Sequence, residues 1–269
     1  MIPNRAPLLK PASTPTDGGK REALHSFVVR GCEKNGITVG DFYRHFFRRR
    51  NGLVPPDVGR EGVTYLISHG SETSRHWIEV LGETFGVPES LLWEMTARDI
   101  NISSGMPAPA SPLRRWCTAC LEHDLECDHG PYERLLWSLN LVKICPHHRT
   151  VFQSSCPHCH RNNAKVLAAK ILPGFCTYCS GWLGSSTRRI PETSDDQSKY
   201  MLWVAQSFSD LLDAKATATE SGPRETLLAL ADFHYEGNRA KLARSIHRAK
   251  STVFHLDNRS GLNGLAHAL

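Results

Sequence analysis

Cys156-Pro157-His158-Cys159 and, sixteen residues further on, Cys176-Thr177-Tyr178-Cys179 form two C-x2-C pairs at the spacing of a four-cysteine structural zinc site. Two residues between thiolates allow a tight turn that aims both sulfurs at one ion, while backbone N–H groups stabilise their charge. Four soft ligands in a tetrahedron leave no open position, so such a site folds the chain and does not activate water. Immediately upstream lies a second set, Cys117-Thr118-Ala119-Cys120, followed after twenty-four residues by Cys145-Pro146-His147-His148. His148 restores the two-residue spacing as C-x2-H, whereas His147 would leave a single residue between ligands. The preferred second quartet is therefore Cys117, Cys120, Cys145 and His148, ahead of any set using Cys127, His129 or His147. Cys127 and His129 read as a partly exposed loop pair.

The chain around these pairs has 269 residues, 40% of them apolar, with 9 Cys, 14 His and a net charge of +5. That length suits two or three small units. No apolar run reaches the roughly 18 residues of a membrane span, and Met1 to Arg5 lacks the apolar core of a secretory signal. A soluble, intracellular protein is expected, in which cysteines stay reduced and pairs of them point to metal. A module of this size buries too little apolar surface alone, so each ion stands in for missing core.

Upstream, residues 1–20 are rich in Pro and Gly without periodicity, the signature of a flexible arm ordered only against something else. Leu24, Phe27, Val28 and Cys32 then fall on one helical face that Asn35-Gly36 ends, making Cys32 a small core residue. Val39, Phe42, Tyr43 and Phe46 continue the pattern towards Arg48-Arg49-Arg50. Trp77, Val80, Leu81 and Phe85 predict a further helix before Gly86, and Pro88 starts another carrying Leu91, Leu92 and Met95. Ser103 to Pro112 is linker-like, and a second break runs from Gly184 to Ser198. Between the quartets' ligands, Pro131 to Leu139 predicts a helix whose Leu135, Leu136 and Leu139 cover the first metal site.

The expected fold is mainly α with small zinc-ribbon-like modules. Its units are a flexible arm over 1–20, a helical domain over 21–105, a double zinc-finger module over 114–184, and a C-terminal helical domain over 199–269.

Within that last unit, Asn238 to Arg259 holds six Lys/Arg against one acid, Asp257. Small Ala243 allows two helices to approach, a short turn follows Ile246, and Val253 with Leu256 packs inward. This is a helix-turn-helix pattern, although its turn lacks the frequent glycine. Arg248, Lys250, Ser251, Thr252 and His255 are the candidate DNA-contacting residues at and before the start of the recognition helix.

In combination these motifs resemble the TniQ family of transposon target-selection proteins. The likeness rests on Glu22 to Arg30 (EALHSFVVR), Arg115-Trp116-Cys117 through Cys120, and Pro131 to Trp137 (PYERLLW). It continues through Cys145-Pro146-His147-His148, Cys156 to Cys159 and Cys176 to Gly184 (CTYCSGWLG), about residues 20–185. The chain departs in carrying Cys127 in the first long insert, and it stops at Leu269 where many relatives run on.

The resemblance implies a bacterial, cytoplasmic and nucleoid-associated adaptor with no catalysis of its own. Such an adaptor connects a target site, marked by a CRISPR RNA-guided complex or by DNA itself, to a AAA+ ATPase regulator of TnsC or TniB type that recruits the transposase. Two structural zinc ions are its expected cofactors, a homodimer is compatible with it, and the region from Arg5 to Arg50 is the expected ATPase contact. The alternative is an independent helix-turn-helix regulator that uses the zinc fingers as scaffold. An enzyme is disfavoured on motif grounds. His234-Tyr235-Glu236 follows the cysteines instead of preceding a P-C-x-x-C, and Gly18-Gly19-Lys20 lacks the earlier glycine of a phosphate loop.

Overall fold

The structure is a computed structural model describing residues 8–47, 67–98, 111, 113–162, 166–168, 170–184 and 195–213. Six α-helices run through these residues: α1 (Leu24–Lys34), α2 (Val39–Phe42), α3 (Glu72–Phe85), α4 (Glu89–Glu94), α5 (Thr118–Asp124) and α6 (Asp195–Asp213). Among the described residues no β-ladder forms, only four isolated antiparallel bridges. The expectation of a mainly helical protein with small metal-site modules holds, and the helix-turn-helix segment lies outside the described residues.

The central helix, α1, is buried on every side over its first nine residues. Ala23 at its N-cap offers no side-chain acceptor, so its first free N–H groups find partners elsewhere in the fold. Leu24 N donates to the Met95 carbonyl at 2.9 Å and His25 N to Ser68 Oγ at 3.2 Å. Gly31 leaves room for α3, since a Cβ there would stand 2.6 Å from Phe85 Cζ. Gly36, at φ +64°, takes the left-handed turn that ends the helix.

Thr38 caps α2 by accepting from Asp41 N at 3.0 Å. The chain then widens into a π-turn over Tyr43–Phe47. Phe42 and Phe47 meet Trp77 of α3 there, the ring of Phe47 lying 4.3 Å from the indole. At the start of α3, Ser71 and Ser74 exchange a reciprocal capping box, and Gly86 at φ +60° closes its end.

Two apolar cores result. The first joins α1 to α4 through Leu24, Phe27, Val28, Phe42, Trp77, Leu81, Phe85 and Leu92. It also takes in Leu167 and Ile171 from the loop between the C-x2-C pairs. The second gathers Trp116, Cys117, Cys120, Leu121, Leu135, Leu136, Leu139 and Cys145, with Ala205 and Leu212 of α6. Leu135, Leu136 and Leu139 thus share a core with the first quartet's cysteines, as expected.

Their backbone differs from the expectation. Pro131 to Leu139 is not a helix: only Leu135–Ser138 turns, as a single 3-10 turn. Residues 133–135 instead run beside 21–23. Ala23 N donates to the Glu133 carbonyl at 2.9 Å, and Leu135 N to the Arg21 carbonyl at 2.7 Å. Tertiary pairing supplies the backbone bonds that a helix would have made internally, and so overrides the local pattern.

Parts of two expected connectors are described. Over residues 8–20 the Pro/Gly-rich arm lies against the chain's own helices. Leu8 N reaches the Thr84 carbonyl at 2.8 Å, Leu9 exchanges two bonds with the Asn35 side chain, and Gly18 N meets Asp213 of α6. At the end of the 103–112 linker stretch, Ser111 is buried and its N donates to the Ser138 carbonyl at 2.8 Å.

Candidate metal centres

Each cysteine pair is built by one of two local devices. In the first, Cys117 is the N-cap of α5, and one helical turn brings Cys120 beside it. The other three ligand pairs use one repeated hairpin. Cys145, Cys156 and Cys176 each accept at the carbonyl from the N–H of the residue four positions on (Arg149, His160 and Ser180), and donate from N to the carbonyl of Thr150, Arg161 and Gly181. The reversal places Arg149, His160 and Ser180 at φ of +55°, +56° and +55°. These left-handed positions are held by non-glycine residues, a strain that persists because the hairpin bonds on either side fix it. Pro146 and Pro157 sit at the second turn position, where a preset φ favours the bend. Inside the last two hairpins, His158 N points at Cys156 Sγ and Tyr178 N at Cys176 Sγ, both at 3.4 Å. These are the N–H groups expected to stabilise thiolates.

Both expected quartets come together. Cys117, Cys120, Cys145 and His148 form one, Cys156, Cys159, Cys176 and Cys179 the other, with ligand atoms in each within 4.8 Å of one another. Sulfur pairs stand 3.6 Å apart for Cys120–Cys145, 3.6 Å for Cys156–Cys179 and 3.8 Å for Cys159–Cys176. His148 Nδ1 lies 3.3, 3.5 and 3.6 Å from Cys120, Cys117 and Cys145. A tetrahedral zinc with Zn–S of about 2.3 Å and Zn–N of about 2.05 Å requires edges of about 3.8 Å between sulfurs and about 3.6 Å from sulfur to nitrogen. The measured edges match, so each quartet could hold one such ion.

Electrostatics points the same way. Hydrogen bonds shared with Cys120 and Cys145 hold the Cys117 thiol well below the ordinary range. The hydrogen bond that each shares with Cys117 pushes Cys120 strongly up and Cys145 up to about 11. Three neighbouring sulfurs therefore cannot all ionise unaided, and a divalent cation is what would let them.

The residues that competed in the sequence lie elsewhere. His147 packs on the backbone of Gly19, where a Cβ would come within 2.8 Å of its Nε2. His129 bonds the Gly130 carbonyl and stands edge-on to Tyr132, and Cys127 Sγ lies 4.0 Å from His123 Nε2. Cys32 is buried in the first core, where desolvation lifts its thiol to about 12. Arg248, Lys250, Ser251, Thr252 and His255 lie outside the described residues.

Between the quartets and α1 runs a buried ionic network that no local spacing announces. Glu133 receives Arg114 at 2.5 Å and His25 Nε2 at 3.1 Å, and its backbone N donates to Ser26 Oγ. Burial opposes its ionisation, but Arg114 and then His25 outweigh that and hold the carboxyl at about 2. Arg114 also donates to the Phe175 carbonyl at 2.6 Å, just before Cys176, and so ties α1 to the second quartet. Arg115 turns the other way, donating to the carbonyls of Trp137, Leu139 and Val142 on the approach to Cys145. Arg30 pairs with Glu22 at 2.8 Å, and Arg134 grips Asp124 with both terminal nitrogens.

Glu22 to Arg30, Arg115 to Cys120 and Pro131 to Trp137 thus meet in one place. Among the described residues, no helix is long and apolar enough to cross a membrane. No curated protein matches the chain significantly. The family model for TniQ matches residues 17–152, from the end of the N-terminal arm through the first metal quartet. The chain belongs to the TniQ family of transposition-associated adaptors.

Proposed function

We propose that the protein links a recognised target site to a AAA+ ATPase regulator of TnsC or TniB type, and that it holds one structural zinc ion in each quartet. The observation that supports this most is the family match over residues 17–152, which covers the network joining α1 to the first metal quartet. Both quartets supply four protein ligands each, which suits closed structural sites and not water activation. In this reading the helical region 21–105 docks on the ATPase, with the surface from Arg5 to Arg50 as its contact. The module 114–184 holds the geometry, and the region 199–269 brings the candidate DNA-contacting residues Arg248, Lys250, Ser251, Thr252 and His255. The target side is a CRISPR RNA-guided complex or DNA itself, and a homodimer is compatible with either.

The test is co-sedimentation of the zinc-loaded chain with the ATPase of its own transposon assembled on DNA. Binding that requires the assembled ATPase is expected. A sequence-specific shift of DNA by this chain alone, with no affinity for the ATPase, would overturn the adaptor in favour of an independent DNA-binding regulator.

A further inference from the structure

From Arg134 to Pro191 the chain contains no Asp or Glu, although it has 27 elsewhere, and the same stretch carries eight Lys/Arg. Arg134 is spent on Asp124, and Lys143 bonds Asn140. Arg149, Arg161 and Lys170 are exposed, and none forms an ion pair among the described residues. Exposed cations without an ion pair carry some electrostatic cost, and a polyanion relieves it.

One pair in this stretch has a more specific shape. Tyr178, 42% exposed, sits in the last hairpin with its N–H on Cys176 Sγ. The Arg161 guanidinium lies 4.9 Å from the centre of its ring. Arg161 closes the opposite hairpin of the same quartet, its carbonyl accepting from Cys156 N at 3.1 Å. The four cysteines therefore set the distance between arginine and tyrosine, and a stacked cation and aromatic ring stand ready at the rim of the module. Duplex DNA hides its base faces, whereas unpaired bases stack on aromatic rings and guanidinium planes while neighbouring cations follow the phosphates.

We infer that the rim of the second metal quartet, centred on Tyr178 and Arg161, binds single-stranded DNA. Tyr178 and Arg161 are separate in sequence from the helix-turn-helix segment. Only the choice of DNA over RNA rests on the transposition reading above.

The experiment measures fluorescence anisotropy of a labelled 20-nucleotide single-stranded DNA with the full, zinc-loaded chain. Duplex DNA and RNA of the same sequence serve as competitors, and zinc content is checked for every variant. Tyr178→Ala and Arg161→Ala are each expected to weaken binding about five- to fifty-fold with zinc content unchanged, while Tyr178→Phe stays within about twofold of wild type. Removing the Arg161 charge should also flatten the salt dependence by about 0.7 in logarithmic slope. Unchanged affinity in both alanine variants, or tighter binding of duplex than of single strand, overturns the inference. Tighter binding of RNA overturns the choice of DNA. The same variants should still bind the ATPase, so failure here is distinguishable from failure of the adaptor reading.

Discussion

Replacing Glu133 with Gln changes almost no volume and removes one buried charge. Its side chain is 8% exposed and that of Arg114 is 2%, so the arginine would be left buried without its counter-ion. A carboxyl held at about 2 against an ordinary 4.5 contributes about 3 kcal/mol of stability at neutral pH. Breaking a buried pair from one side typically costs ~3–5 kcal/mol, a figure of the same size. For a unit of roughly 150–250 residues this is a fall of about 6–20 °C in Tm.

The sign of the pH dependence follows from the direction of the shift. Because the folded carboxyl titrates lower than the unfolded one, its contribution is complete above about pH 4.5 and fades only as pH falls towards 2. Thermal unfolding of zinc-loaded protein followed by circular dichroism should therefore show a gap between wild type and Glu133→Gln that persists from pH 8 to about 5.5. The double variant Arg114→Met with Glu133→Gln should lose less than the sum of the single variants, because no charge is then stranded. A Tm change under about 2 °C, or strict additivity in the cycle, would refute the reasoning.

Other consequences are open to direct measurement. Metal analysis of the purified chain should return two zinc ions, and Cys156→Ser or Cys176→Ser about one with the second module unfolded; a value near zero in folded protein would remove the metal assignment. Gly31→Ala should destabilise by about 1–3 kcal/mol, because the added methyl meets the rigid Phe85 ring; denaturant unfolding with an unchanged midpoint would contradict that packing. Arg115→Lys should destabilise even though charge is kept, since one ammonium cannot reproduce a planar fork spread over three carbonyls; wild-type Tm would refute that role. Arg248→Ala with Lys250→Ala should weaken DNA binding and its salt dependence without changing zinc content, and unaltered affinity would count against DNA contact by that segment.

The two candidate metal quartets were legible in the sequence because ligand chemistry imposes spacing, and the two-residue rule was enough to prefer His148 over His147. The helices α1 and α3 were legible through periodicity, since each lays a face of large apolar residues on the same core. The turn at Leu135–Ser138 was misread because backbone pairing with residues 21–23 competes with a helix, and nothing near Pro131 shows that partner. The left-handed Arg149, His160 and Ser180 escaped notice for a related reason. Glycine usually marks such a position, but here hairpin bonds hold ordinary residues in it. The Glu133, Arg114 and His25 cluster joins Glu133 to His25, 108 positions away, and charges so scattered carry no local signature.

The loop between the second pair of C-x2-C hairpins sends Leu167 and Ile171 into the core of α1 to α4. Its two ends are tied at one quartet and its middle packs on residues more than seventy positions earlier in the chain, so an ion held there would be a clasp on a strap. Opening the clasp frees the strap's ends, which raises the entropic cost of keeping its middle seated. Metal occupancy would then register at a distance, as faster amide exchange in α1 and α3, so the helices expected to meet the ATPase carry a built-in readout of whether the second module is loaded.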